Sequence, residues 1–135
     1  MAGLPSITDA EWHVMKALWD RAGEWVPAGE VVEPVAASRR IHHRTVRTLL
    51  TRLVKKGAVE TKPDSACSFL YRAKVSRDAV ARAESRSFLS RVFDGNAAPA
   101  LVHLLNQTRD ELSAAQIQEL RNLLAKKGKA DARVE

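Results

Sequence analysis

The segment HHRTVRTLLTRLVKKG at 42–57 carries two different patterns on the same few helical turns. Apolar residues recur there at spacings of three and four, which predicts an amphipathic helix with one face against a core. They are Val46, Leu49, Leu50, Leu53 and Val54. The remaining face is basic and hydroxyl-bearing, with no acidic residue in the segment. Because a solvated helix face normally gains from opposite charges four residues apart, a face of a single sign predicts an anionic partner.

The side chains of this face are of the kinds that contact base edges and phosphates. We therefore expect double-stranded DNA as the partner, contacted by this helix, the two arginines before it and one lysine after it. The candidate DNA-binding residues are Arg39, Arg40, His43, Arg44, Thr45, Arg47, Thr48, Arg52, Lys55 and Lys62. The alternative interpretation is a basic face that is merely solvated.

Positive charge is concentrated around this helix. Residues 39–74 contain ten basic and two acidic side chains, whereas residues 1–38 contain two and six, and residues 75–135 contain ten and eight. The whole chain has a formal net charge of +6. An excess focused on one segment is typical of a nucleic-acid footprint.

Composition excludes several other classes. The single cysteine, Cys67, allows no internal disulfide and fits a reducing cytoplasm. No apolar run approaches the roughly 18 residues that span a bilayer, so we expect a cytoplasmic protein without membrane insertion. His42 and His43 with Cys67 lack a fourth zinc ligand, and we expect neither metal nor cofactor.

The first 75 residues predict a mainly α winged helix-turn-helix, with three helices and a β-hairpin wing. The spacing of Thr8 and Glu11 predicts a capping box that starts a helix over 9–20. A second helix is expected over about 28–37 despite Pro34, and strands over 58–62 and 67–72. The three tryptophans are predicted to lie in the core.

Residues 76–128 predict a separate helical region, followed by a flexible tail at 129–135. Helices are expected from Ser76 to about residue 94, over 99–105, and from a capping box at Ser113 and Gln116. These helices have more apolar surface than they can bury among themselves, so we expect a symmetric homodimer. The candidate dimerisation residues are Val80, Phe88, Leu89, Val92, Phe93, Leu101, Leu104, Leu105, Ile117, Leu120 and Leu124.

Several stretches recur together in a known family. They are TDAEWHVMKALW at 8–19, RTVRTLLTRLVKKG at 44–57, ESRSFL at 84–89, LS at 112–113 and ELR at 119–121. Over residues 7–127 the chain resembles the penicillinase-repressor family of the BlaI/MecI type. The resemblance implies a bacterial dimeric repressor whose winged helix binds a dyad operator and whose C-terminal helices dimerise. It also implies operator contacts at Arg44, Thr45, Thr48 and Arg52.

The chain departs from the family pattern at three places. His42-His43 stands where the family usually has Ser-Pro, so the recognition helix lacks its customary cap. Ala66-Cys67 stands where the wing often has Gly-Arg. Leu104-Leu105 stands where members released by a membrane sensor protease have the cleaved Asn-Phe pair. A sensor protease is thus a partner that the family implies, but induction by proteolysis does not transfer.

Two rival functions are less consistent with these residues. An enzyme would need a nucleophile with a base, paired carboxylates in a cleft or a clustered glycine loop, and the six glycines are not clustered. A winged helix that binds only protein would show an apolar or mixed face on the third helix.

Overall fold

The structure is a computed structural model that describes residues 4–65 and 68–134, with side chains as far as residue 127. The chain divides into two compact units, Met1–Ser85 and Arg86–Glu135. Within the described residues, no helix is long and apolar enough to cross a bilayer.

Three helices form most of the first unit: α1 (Asp9–Trp19), α2 (Ala28–Arg39) and α3 (His43–Lys56). The predicted capping box starts α1, because the Glu11 N–H donates to Thr8 Oγ1 at 3.2 Å and the Thr8 N–H donates to Glu11 Oε1 at 2.9 Å. Helix α2 contains Pro34 and continues two residues beyond the predicted end.

An antiparallel sheet of β1 (Val26–Pro27), β2 (Val59–Pro63) and β3 (Phe69–Ala73) completes this unit, in the order β1-β3-β2. The predicted hairpin is confirmed within one or two residues, although Ala66 and Cys67 lie outside the described residues. Gly57 ends α3 with a φ of 84°, and the Ala58 N–H donates to Leu53 O at 3.0 Å. This is the Schellman pattern, which favours glycine at that position.

The core of the first unit draws one apolar face from each element. It contains Val14, Met15, Leu18, Val26, Val31, Val32, Val35, Val46, Leu49, Leu50, Leu53 and Val59. Trp12 and Trp19 pack against this core, and the Trp19 indole N–H donates to Val75 O at 2.9 Å. Trp25 was expected in the core but lies half-buried beside the wing, under cationic side chains.

Helix α4 (Arg77–Phe93) begins in the first unit and ends in the second, and the Ala79 N–H donates to Ser76 Oγ at its start. The second unit continues with α5 (Ala97–Thr108), a 3₁₀ turn (Arg109–Glu111) and α6 (Ala114–Val134). The predicted capping box of α6 is present, because the Gln116 N–H donates to Ser113 Oγ at 3.1 Å. Helix α6 continues to Val134, through most of the residues that the sequence predicts as a flexible tail.

Candidate nucleic-acid interface

Helix α3 separates its two kinds of side chain completely. Val46, Leu49, Leu50 and Leu53 are at most 6% exposed. The side chains of α3 that were predicted to contact DNA all lie on the exposed side of the helix. The core therefore fixes which face of α3 points to solvent.

One line of side chains runs along α3 opposite the core. Arg44, Thr48, Thr51 and Lys55 follow each other at spacings of four, three and four. At about 100° per residue these spacings return to nearly the same direction, so the four side chains form a straight exposed stripe. We call these four residues the outer stripe. Its length is that of the whole helix, which suits a helix lying along a DNA groove.

The arginines of this face are not neutralised by any acidic side chain that the structure describes. Among the residues that the structure describes, none forms an ion pair with Arg44, Arg47 or Arg52. Arg21 and Arg72, by contrast, contact Glu30 at 2.7 Å and Glu60 at 3.1 Å. The guanidinium groups of α3 thus keep their donors for an external anion, in the planar fork that matches phosphate and guanine.

The two threonines of the outer stripe have fixed orientations. Thr48 Oγ1 donates to Arg44 O at 3.0 Å, and Thr51 Oγ1 donates to Arg47 O at 3.0 Å. These bonds use the hydroxyl hydrogen and leave oxygen lone pairs and the methyl group exposed. Each side chain is therefore already held in a rotamer from which it can accept a hydrogen bond or contact an apolar group.

The start of α3 is capped, contrary to the expectation from its missing Ser-Pro. His42 is the N-cap residue, and the Arg44 N–H donates to His42 Nδ1 at 3.0 Å. His43 Nε2 contacts Glu33 Oε1 at 3.0 Å, which ties the first turn of α3 to α2. Because histidine is not a common N-cap residue, the sequence did not indicate this cap.

Arg39 is the last residue of α2 and Arg40 follows it in the connection to α3, and both are exposed. Arg40 has a φ of 55°, the left-handed conformation that ends α2, and its N–H donates to Ala36 O. This conformation makes the turn between the two helices tight. Arg39 borders a recess between α1 and α2, together with His13 and Ser38.

Lys56 is exposed, as its position on the basic face predicts, but its ammonium group reaches a buried carboxylate. Its ammonium group donates to Glu11 Oε1 at 2.6 Å and to Ser6 O at 2.9 Å. Glu11 is 1% exposed. Burial alone would raise the pKa of Glu11, but hydrogen bonds from Lys56 and from the Thr8 N–H hold it below the usual value. The pair joins the start of α1 to the end of α3.

Lys62 lies on the side of the wing away from α3. Lys62 pairs with Leu70 across the hairpin, whereas Thr61 pairs with Tyr71, so the two sets point to opposite faces of the sheet. The Lys62 ammonium is 4.4 Å from the centroid of the Trp25 ring. The structure does not bring Lys62 together with the outer stripe.

The second unit leaves its apolar side chains exposed. Between residues 86 and 127, where side chains are described, Ala100 alone is buried. Leu124 is 65% exposed and Leu120 is 37% exposed, while Leu89 and Phe93 are half-buried. Val80 was wrongly grouped with these residues, because it is 1% exposed and belongs to the core of the first unit.

Three helices, a hairpin wing and an exposed basic face on the third helix define a winged-helix DNA-binding protein. The family model described as penicillinase repressor matches residues 7–126. The chain belongs to the penicillinase repressor family, as the sequence resemblance predicted.

Relatives and solved structures agree with this assignment. The chain is 32% identical over 121 residues to the methicillin resistance regulatory protein MecI of Mammaliicoccus sciuri, covering 90% of this chain and 94% of the relative. It is 30% identical over 124 residues to the penicillinase repressor of Bacillus licheniformis, covering 92% and 93%. The solved DNA-binding domain of the repressor BlaI matches with a TM-score of 0.50 at 29% identity, covering 58% of this chain and 93% of that chain.

Proposed function

We propose that this protein is a dimeric transcriptional repressor of the bacterial cytoplasm, which binds a dyad operator with one α3 in the major groove of each half-site. The observation that carries the proposal is the outer stripe flanked by Arg47 and Arg52, which have no ion-pair partner among the described residues. The arginine and lysine side chains of this face offer donors to phosphates and to base edges without first breaking internal ion pairs. Residues 1–75 act as the DNA-binding region and residues 76–128 as the dimerisation region.

Dimerisation is supported by the exposed apolar side chains of α5 and α6. Ile117, Leu120 and Leu124 lie at spacings of three and four on α6, and Leu101, Leu104 and Leu105 do so on α5. A symmetric pair of such faces would remove them from water. Two winged helices held at a fixed spacing would then match the two halves of a dyad.

We also propose that repression by this protein is not ended by cleavage at an Asn-Phe bond. Leu104 and Leu105 occupy the corresponding positions, and both lie within α5. A membrane sensor protease specific for Asn-Phe is expected to leave the chain intact. Incubation with such a protease, followed by mass measurement, tests this point.

Selection from a random pool of duplexes tests the DNA-binding proposal. We expect the full-length protein to enrich a sequence with two-fold symmetry. With several phosphate contacts per protomer, affinity for that duplex should fall roughly a thousandfold between about 50 and 200 mM salt. No enrichment together with a flat salt response would instead favour a winged helix that binds only protein.

A further inference from the structure

A recess of about 290 Å³ lies between the C-terminal half of α3 and the wing. Its walls are formed by Thr51, Val54, Lys55, Thr61, Phe69 and Tyr71. The volume corresponds to roughly ten water molecules. Phe69 is 48% exposed, so a large apolar ring borders this recess without being buried by its own chain.

The recess continues the outer stripe. Thr51 and Lys55 are the last two residues of that stripe and also two walls of the recess. The N-terminal part of a recognition helix is the part that reaches base edges. When a duplex lies along the outer stripe, the recess at the C-terminal end of α3 is therefore close to the sugar-phosphate backbone of the duplex.

The chemistry of the walls selects an apolar group attached to an anion. Thr51 Oγ1 donates to Arg47 O, and Thr61 Oγ1 donates to Leu70 O at 3.1 Å. Both threonine hydroxyl hydrogens are thus used internally, so the donors that remain among the lining side chains are the Tyr71 hydroxyl and the Lys55 ammonium. Lys55 is exposed and, among the described residues, has no ion-pair partner. It supplies the one cation of the recess.

We propose that this recess holds one deoxyribose of the duplex and its phosphate, with the Phe69 ring against the sugar and the Lys55 ammonium on the phosphate. The proposal rests on the DNA binding proposed above and adds a positioning contact from the wing. The sugar carries no base identity, so the contact holds the helix in register without selecting a sequence. Because the contact between the Phe69 ring and the sugar is apolar, it strengthens binding independently of salt.

The test compares Phe69→Ala, Phe69→Leu and Lys55→Gln with the parent on two duplexes, one selected from the random pool and one unrelated. Phe69→Ala should weaken binding about tenfold on both duplexes and leave the slope of log affinity against log salt unchanged. Phe69→Leu should retain most of the affinity. Lys55→Gln should reduce the slope by about 0.9 per protomer on both duplexes, through loss of one phosphate contact.

Several outcomes would overturn the proposal. A loss confined to the selected duplex would place a base, such as a thymine methyl group, in the recess. Parent-like binding by Phe69→Ala would show that the recess stays empty or receives protein. Thermal unfolding of each variant identifies any loss of affinity that arises from misfolding. If Phe69→Ala is misfolded, the affinity of Phe69→Leu is compared with that of the parent instead. If the parent itself binds neither duplex, the proposed function fails rather than the assignment of the recess.

Discussion

Both units of this chain contain helices with apolar residues at spacings of three and four, but the two units differ in where those apolar side chains lie. In the first unit Leu53 of α3 is fully buried, whereas in the second unit Leu124 of α6 is 65% exposed. The first unit has a core within one chain, and the second does not. Helical periodicity predicts that a face will be buried, but it does not say whether the covering surface belongs to the same molecule.

The largest effect is expected from a charge placed on the exposed face of α6. Leu120→Asp would bury an unpaired carboxylate in the proposed dimer interface, which costs several kcal/mol of association. The variant should sediment as a monomer. Operator affinity should fall by roughly a hundredfold or more, because the second half-site contact is no longer effectively intramolecular.

Gln118→Asp is the matched control, since it adds the same charge to α6 on roughly the opposite side of the helix. It should remain dimeric, and both variants should keep the thermal transition of the first unit. A monomeric Leu120→Asp that binds the full operator as tightly as the parent would disprove the role of the second unit in affinity.

The next effect concerns the interior of the first unit. Lys56→Met would leave the Glu11 carboxylate buried without its cation, which should lower the free energy of unfolding by about 3 to 5 kcal/mol at neutral pH. Lys55→Met is the control, because its ammonium group is exposed and its loss should leave stability nearly unchanged. Urea unfolding of both variants distinguishes the neighbouring lysines.

The pH dependence of the same variants sharpens this prediction. The pKa of Glu11 is lowered in the folded state, so its contribution is present above the unfolded pKa, near 4.5, and is lost as pH falls through the folded pKa. Without Lys56, burial should raise that pKa instead. The stability deficit of Lys56→Met should therefore be greatest at pH 7 and shrink toward pH 4. An equal deficit at both values would mean that packing, not charge, is lost.

A smaller effect is expected at the exposed face of α3. Arg44→Ala should weaken binding to the selected duplex by about 1 to 3 kcal/mol, with a smaller loss on an unrelated duplex. Fluorescence titration of both duplexes gives the two values. Equal losses would show that Arg44 contacts phosphate rather than a base edge.

The sequence predicted the fold well where short-range rules govern it. The capping boxes at Thr8 and Ser113, the glycine after α3 and the hairpin follow from side chains a few residues apart. The family resemblance supplied what periodicity could not, namely the class of operator-binding repressor. The expected DNA face lies on the exposed side of α3, as the position of the apolar stripe requires.

The errors arose where long-range contacts decide the outcome. Lys56 lies 45 residues from Glu11, and no local pattern distinguishes it from Lys55. Val80 is apolar and helical like the residues after it, but it packs into the first unit. Trp25 was expected in the core but lies outside it. Lys62 and Arg72, on the face of the hairpin away from α3, lie over its ring. Each case depends on which elements meet in space.

The smallest effect on stability and binding is expected from a change at the N-cap of α3. The two units differ in the residue that caps a helix. Ser113 caps α6 with a hydroxyl, whereas His42 caps α3 with an imidazole nitrogen. Removing an N-cap side chain typically costs about 1 kcal/mol. His42→Ala should therefore lower the free energy of unfolding by about that amount and weaken operator binding several-fold, because the first turn carries Arg44.

His42→Ser provides the decisive comparison, since serine is a preferred N-cap residue and should restore both values to those of the parent or better. Urea unfolding and titration with the selected duplex measure the two properties on the same samples. If His42→Ser restores stability but binds the duplex as weakly as His42→Ala, the imidazole acts through a direct contact with DNA. If all three proteins are equally stable and bind equally, the bond from the Arg44 N–H to His42 contributes nothing, and the core face of α3 with the His43–Glu33 contact holds its first turn in place.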